Sequence, residues 1–257
     1  MNDNFRNHLS SFTIALQFMT RLPGLNKSGW TEERERESVG YYSAAGVIVG
    51  IIAALVYSLA AQMFDGVLSS LLAVATAVLV TGALHEDGLA DVCDGIGGGQ
   101  TRDKALAIMK DSRIGAYGTI GLILFIGAKI FALSSLSPAV AVAALVGAHS
   151  ASRAAILGVL ATARYARSEG GTASAVAARP SRESWIACGA TVALIMVVSL
   201  SILPAGAIIY AIVGSIIMAL VVRQLFMQKL DGYTGDCLGA VQQAGELGFY
   251  LGLAAWV

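Results

Sequence analysis

Apolar positions in this chain come in long runs, and the charged ones are swept into the short gaps between them. Runs holding at most one charged residue occupy 39–64, 66–84, 114–134, 139–161, 185–203 and 205–222. As α-helices, each is long enough to cross roughly 30 Å of hydrocarbon. The pattern therefore predicts six membrane-crossing helices. A last apolar run, 238–257, is rich in glycine and carries Glu246, and it predicts a seventh helix whose full crossing the sequence leaves open. Near the N-terminus, 9–22 is short for a span and is predicted as an amphipathic or re-entrant helix stopped at Pro23. The hardly basic start and the lack of a small-residue cleavage site argue against a signal peptide there.

Composition agrees with this pattern. With 56% hydrophobic and only 13% charged residues, and a mean hydropathy of +0.70, the chain has too little polar surface to cover a soluble domain. The expected fold class is an all-α polytopic bundle in a lipid bilayer. Without internal repeat or linker, it reads as one transmembrane catalytic domain over 1–257. Seventeen Lys and Arg against seventeen Asp and Glu leave no net charge, which argues against a nucleic-acid partner. Cys93, Cys188 and Cys237 are odd in number and lack metal-type spacing, so neither a disulfide framework nor a zinc site is expected. Cys93 reads as a small buried thiol. A monomer and a homo-oligomer both remain open.

Three connections can only be tight turns between neighbouring helices: Asp65-Gly66, 135–138 and Leu203-Pro204-Ala205. None contains Lys or Arg. The opposite connections hold Arg6, Arg21, Lys27, Arg34 and Arg36, then Arg102, Lys104, Lys110 and Arg113, then Arg164, Arg167, Arg179 and Arg182, then Arg223 and Lys229. By the positive-inside rule the second face is cytoplasmic. Asp87, Asp91, Asp94, Asp103, Asp111 and Asp236 fall at that same face, which the rule does not require.

The stretch HEDGLADVCDGIGGGQ, 85–100, concentrates those acids. Asp87, Asp91 and Asp94 are spaced i, i+4, i+7, so on a helix their side chains fall within about 60° of one another. Three carboxylates on one stripe repel and raise one another's pKa unless a hard divalent ion, most simply Mg²⁺, lies among them. Glu86 is a further metal candidate and His85 a candidate base. The glycines that follow, Gly95 and Gly97 among them, form either a plain flexible loop or a backbone cradle for phosphate. Lys110 and Arg113 offer cations for phosphate oxygens, with Asp111 as a fourth carboxylate. Thr234 and Asp236 open the last apolar run, where Asp236 is either an N-cap or another ligand. Arg153 and Lys129 lie within spans: Arg153 is near enough the charged end to reach the site, and Lys129 is either functional or snorkelling. His149 reads as a packing histidine. Acids for Mg²⁺ beside cations at a bundle end describe phosphate-ester or pyrophosphate chemistry. Residue logic alone also admits a prenyltransferase or a divalent-cation transporter.

Five segments in order, FMTRLP (18–23), HEDGLADVCDG (85–95), ALAIMKDSRIGAYG (105–118), RYAR (164–167) and TGDCLGA (234–240), resemble the adenosylcobinamide-GDP ribazoletransferase family, the cobalamin and cobalamin-5'-phosphate synthases. Glu86 departs from the apolar residue of some members. The resemblance implies an enzyme of the bacterial cytoplasmic membrane with its active site facing the cytoplasm. It would join adenosylcobinamide-GDP to α-ribazole or its 5'-phosphate, release GMP and require Mg²⁺. In that frame Asp87, Asp91, Asp94, Asp236 and Glu86 hold metal. Asp91, Asp94, Asp111 and His85 are the catalytic candidates, and Lys110, Arg113, Arg153, Gly95, Gly97 and Thr234 the substrate contacts. The central motif also resembles the Asp-rich motif of CDP-alcohol phosphotransferases, an analogy at the level of fold. A prenyltransferase would need a second Asp-rich helix, and a transporter acids at the membrane midplane.

Overall fold

The computed structural model describes residues 3–23, 30–167 and 179–256, which leaves Lys27 outside. These residues are helical throughout, apart from short connections and one isolated bridge between Tyr165 and Tyr233. Helix α1 (Asp3–Met19) ends before Pro23, as the proline requires, and begins further upstream than its apolar part. Short α2 (Glu32–Ser38) is capped by Thr31 and runs through a 3₁₀ turn into α3 (Tyr42–Ala60). At the next turn the Asp65 carboxylate accepts from the Leu68 N–H at 2.9 Å and starts α4 (Gly66–Thr81).

The predicted span 66–84 is cut short. Gly82 (φ 66°) and Ala83 (φ 58°) both take the left-handed conformation, natural for the glycine and costing the alanine about 1–2 kcal/mol. The chain turns by 92° there, into α5 (Leu84–Gly98). The Arg21 N–H donates to the Val80 carbonyl at 2.8 Å, and the Arg21 side chain lies where a side chain on Gly82 would have to go. After short α6 (Arg102–Ile108) come α7 (Ala116–Ser134), α8 (Pro138–Thr162), α9 (Arg182–Ser199), α10 (Ala205–Leu230) and α11 (Gly235–Trp256).

Among the described residues, five helices are long and apolar enough to cross a membrane, six if the bent pair α4–α5 is one span. Helix α11, the seventh expected segment, lies outside that set because Gln242, Gln243 and Glu246 interrupt its apolar surface. It is nonetheless buried almost throughout and runs back along α10 for its whole length. Gly214 and Gly248 meet backbone to backbone at the crossing, and Trp256 packs on Tyr210 near the start of α10. Small residues at the contact allow such approach where lipid offers no hydrophobic drive for helices to associate. The α3–α4 turn and the end of α7 lie together, since a Cβ on Gly66 would sit 3.2 Å from the Ser134 carbonyl oxygen.

The buried apolar residues form two clusters. One gathers Leu89, Ile156, Phe226 and Tyr233 at the α5 end; the other gathers Tyr57, Leu133, Leu145 and Phe249 towards the opposite end. Between them lies a buried polar layer: Lys129 of α7, His149 and Arg153 of α8, and Gln242, Gln243 and Glu246 of α11. Outward-facing positions such as Leu55, Ile123, Phe131 and Ile217 are exposed and apolar, as a lipid-facing surface requires.

Candidate active site

Helix α5 crosses the end of the bundle and lies directly on the first turns of α11. The crossing is close because Gly88 and Gly239 face it: a Cβ on Gly88 would stand 2.7 Å from the Asp236 carbonyl oxygen, and one on Gly239 3.1 Å from that of His85. This contact brings the stripe on α5 against Asp236. Asp87 is exposed, Asp91 half-buried, and Asp236 partly buried.

A second connection completes the wall. The segment after α8 pairs with the loop before α11 through two backbone hydrogen bonds, Ala166 N–H to the Tyr233 carbonyl (2.8 Å) and Tyr233 N–H to the Arg164 carbonyl (2.9 Å). Arg102 of α6 holds both strands, donating to the carbonyls of Leu230 (2.7 Å) and Ala166 (2.6 Å). The clip stacks Tyr165 edge-on against Tyr233 with ring centroids 5.6 Å apart, and it delivers Arg167 to the Asp236 carboxylate at 3.2 Å. Asp236 is therefore not the N-cap that the sequence also allowed; it sits inside the first turn and is held by Arg167 and by the Thr234 hydroxyl at 3.1 Å.

The electrostatics of this end are those of carboxylates wanting a cation. Burial, followed by the charges of Asp236, Asp87 and Asp94, pushes the Asp91 carboxyl up to about 7, against the opposing pull of Arg167. Burial likewise raises Asp236, with Arg167 and Thr234 working the other way. The Asp87 and Asp91 carboxylates have neither ion pair nor hydrogen bond among the described residues. No three acids, histidines or cysteines there converge into a ready-made metal cage. The donor set still fits Mg²⁺, which keeps several waters and takes one or two carboxylates together with substrate phosphates.

Other predicted residues stand elsewhere. Asp94 is buried and spends both oxygens on the start of α7, accepting from Gly115 N–H (2.7 Å) and Gly118 N–H (2.9 Å). Asp111 and Arg113 are exposed and paired with each other at 2.7 Å, an arrangement that holds the Asp111 carboxyl at about 2. Lys110 is exposed beside them. The glycine run is not a loop: α5 continues to Gly98, and Gly95 and Gly97 give room to Met109 and Tyr117, so neither forms a phosphate cradle. Thr234 is fully buried and turned onto Asp236.

Glu86, Arg153 and Lys129 belong to the polar layer rather than the stripe. One position on from His85 turns a helical side chain by about 100°, and Glu86 accepts from the Gln243 amide at 2.9 Å inside the bundle. Lys129 does not snorkel; it pairs with Glu246 at 2.8 Å and bonds Gln243. His149 faces Glu246 at 3.4 Å, and Arg153 donates to the His149 carbonyl at 2.9 Å, 1% exposed and out of reach of solvent-borne substrate.

Two cavities meet at Asp87. One, of about 490 Å³, runs from Asp87 and Asp236 past His85 between apolar and aromatic walls. The other, of about 470 Å³, is bounded by Asp87, Arg21 and the bend at Gly82-Ala83. Sequence reasoning counted Arg21 and Arg167 only as charges at a membrane face. It gave no role to Tyr165, Tyr233 or the close-packed Gly88; Arg21, Tyr165 and Arg167 lie within the FMTRLP and RYAR segments and Gly88 within HEDGLADVCDG, the only signal that could have marked them.

The sequence matches the family model described as cobalamin-5-phosphate synthase over residues 11–254. It is similar to the adenosylcobinamide-GDP ribazoletransferase of Leptothrix cholodnii, 41% identical over 96% of this chain and 95% of the relative. The proteins of that name from Bradyrhizobium diazoefficiens (38% identical, 99% and 96% covered) and Vibrio cholerae (36%, 98% and 96%) are also similar. No solved structure matches.

Proposed function

Because this chain belongs to the cobalamin-5-phosphate synthase family, we propose that it acts as an adenosylcobinamide-GDP ribazoletransferase, joining adenosylcobinamide-GDP to ribazole in the last assembly step of the cobalamin nucleotide loop. In this reaction a ribose hydroxyl oxygen of the acceptor bonds to the phosphorus nearer the corrinoid. The bond from that phosphorus to the GMP oxygen breaks, the hydroxyl proton is given up, and GMP leaves. Whether the acceptor carries a 5'-phosphate does not alter this chemistry.

The observation that carries the reading is the crowding of the unpaired Asp87 and Asp91 carboxylates against Asp236, where Arg167 is the opposing charge. We assign Mg²⁺ to Asp87 and Asp91, with Asp236 completing the set. An ion held there would neutralise diphosphate charge and lower the pKa of the attacking hydroxyl. Arg167 holds Asp236 in place, and Arg21, which lines the second cavity together with Asp87, is the cation for the diphosphate. We read this end of the bundle as cytoplasmic, a reading that the one-sided Lys and Arg support through the positive-inside rule, and the membrane as the inner membrane of a bacterium.

The test is purified protein in detergent with adenosylcobinamide-GDP, ribazole and Mg²⁺, assayed for GMP. Wild type is expected to release it, chelation to stop the release, and Asp91→Asn, which keeps shape and removes charge, to lower it by roughly 10³-fold or more. Near-normal turnover in Asp91→Asn overturns the assignment of the ion. Absence of GMP from wild type overturns the activity itself.

A further inference from the structure

We propose that the larger, aromatic-walled cavity beside Asp87 and Asp236 is the subsite for the acceptor's heteroaromatic base, so that ribazole enters it ring first and presents its ribose to the carboxylates. This rests on the activity proposed above. The cavity measures about 490 Å³, within the range of small-molecule sites and ample for a ligand of ~20 non-hydrogen atoms. Ile156 and Leu238 give it apolar faces, and Phe18 stacked on Tyr42 (centroids 5.9 Å apart, planes 16° apart) gives it an aromatic one. Flat apolar walls suit a flat apolar ring.

Two residues of the lining each carry a buried polar atom with no partner among the described residues, the Tyr233 hydroxyl and the His85 Nε2, and each residue is only 2% exposed. A buried polar atom left unpaired costs about 1–3 kcal/mol, so the pair marks a place where a ligand supplies what the protein does not. Glu35 also lines this cavity, with Asp87 and Asp236, so it is the apolar and aromatic walls that distinguish the two rings in the reaction. Guanine presents at least three hydrogen-bonding groups along its edges, O6, N7 and the N2 amine, and burying that edge among Phe18, Tyr42, Ile156 and Leu238 costs more than burying an apolar ring. The benzimidazole of ribazole has one free ring nitrogen and otherwise apolar edges. One unpaired atom satisfies that nitrogen, and the other a ribose hydroxyl. The position of the acids at the mouth sets the direction of entry: Asp87 and Asp236 line the same cavity, so a base lodged among Ile156, Leu238 and Tyr233 leaves the sugar on their side. The diphosphate then falls to the second cavity, where Arg21 lies.

The experiment uses full-length protein in detergent and separates the two substrates. Tyr233→Phe keeps the ring stacked on Tyr165 and deletes only the hydroxyl. It is expected to raise the KM for ribazole about tenfold, the effect of one hydrogen bond, and to leave the KM for adenosylcobinamide-GDP unchanged. Leu238→Trp, which fills the cavity, is expected to raise the ribazole KM by more than tenfold with the donor KM again unmoved. Free 5,6-dimethylbenzimidazole is expected to inhibit competitively against ribazole and not against the donor.

Equilibrium binding of ribazole alone to wild type, without donor, is measured in parallel; it needs no turnover and is expected to weaken in both variants. Ribazole binding and KM unchanged in Tyr233→Phe overturn the subsite even where Leu238→Trp fails to fold. So does competition by the free base against the donor, or a phospholipid that co-purifies with wild type and is lost in Leu238→Trp. Those results leave GMP release by wild type intact. A wild type that binds ribazole in this way but releases no GMP instead removes the reaction and keeps the subsite.

Discussion

Replacing Gly88 with alanine tests whether Asp236 works with the stripe on α5, because it moves one helix against the other without touching any charge. The new Cβ would stand 2.7 Å from the Asp236 carbonyl oxygen and 3.0 Å from its Cα, where ordinary contact begins at 3.4 Å. Backbone faces backbone, so no side chain can swing aside, and the helices must part by about 0.7 Å. Overpacking of this kind costs roughly 1–3 kcal/mol, partly offset by the ~1 kcal/mol that alanine gains over glycine within a helix. Gly88→Ala is therefore expected to fold, with its melting temperature in detergent lowered by a few degrees. Activity is more sensitive than stability, since displacements approaching 1 Å cost up to ~10²-fold when reacting groups are involved. The expected result is a kcat/KM for GMP release lower by about 10–100-fold and a Mg²⁺ titration shifted to higher concentration. Gly189→Ala in α9, where nothing lies within 4 Å of the new Cβ, is the control and should behave as wild type. Rate and Mg²⁺ dependence in Gly88→Ala that superimpose on wild type would refute the shared site.

With its carboxyl near 7, Asp91 must lose a proton to hold an ion; the Mg²⁺ needed for half-maximal GMP release should rise roughly tenfold from about pH 8 to about pH 6, and a flat response counts against Asp91 as ligand. The same raised value means that metal-free protein takes up a proton on folding, so its stability should fall as pH climbs from about 4 to 7, with Mg²⁺ reversing the trend in a melting assay. Lys129→Ala strands Glu246 inside the bundle and should cost about 3–5 kcal/mol by thermal melting. Lys129→Met combined with Glu246→Met should recover much of that loss, and a double variant worse than the single one would deny the pairing. Single cysteines at Asp65 and Gln100 report topology: an impermeant thiol reagent applied from outside should label the first and spare the second, and the reverse pattern would put the acids on the outer face.

The apolar runs made the spans legible because lipid leaves helices little alternative. Their ends were less so. The stop at Thr81 depends on two consecutive left-handed residues, and Ala83 gives no hint of that in a sequence where alanine is everywhere. The i, i+4, i+7 spacing of Asp87, Asp91 and Asp94 anticipated a helix, which α5 is. It did not anticipate that the last of the three would turn to cap another helix 21 residues on, since caps supplied from a distance leave no local signature. Gly95 and Gly97 read as loop for the same reason: their value lies in what packs on them. Arg167 and Tyr233 escaped because a bridge between segments about 70 residues apart brings the first to Asp236 and the second to Tyr165, and no periodicity records such a meeting. Glu86 and Lys129 looked like strays from the active site and from the interface. Only the depth of their partners on α11 shows them to be one another's neighbours.

The pairing of Lys129 with Glu246 also bears on how the chain is made. The ribosome delivers α7 well over a hundred residues before the carboxylate that neutralises its lysine. At ordinary elongation rates of about 5–20 residues per second the gap lasts on the order of ten seconds. During it a lysine whose lone insertion costs about 2.5–3.5 kcal/mol must wait in or beside the translocon. Helix α11 is therefore the closing piece of biogenesis: chains truncated before Glu246 would carry an ownerless charge in the bilayer and be the natural prey of membrane quality-control proteases.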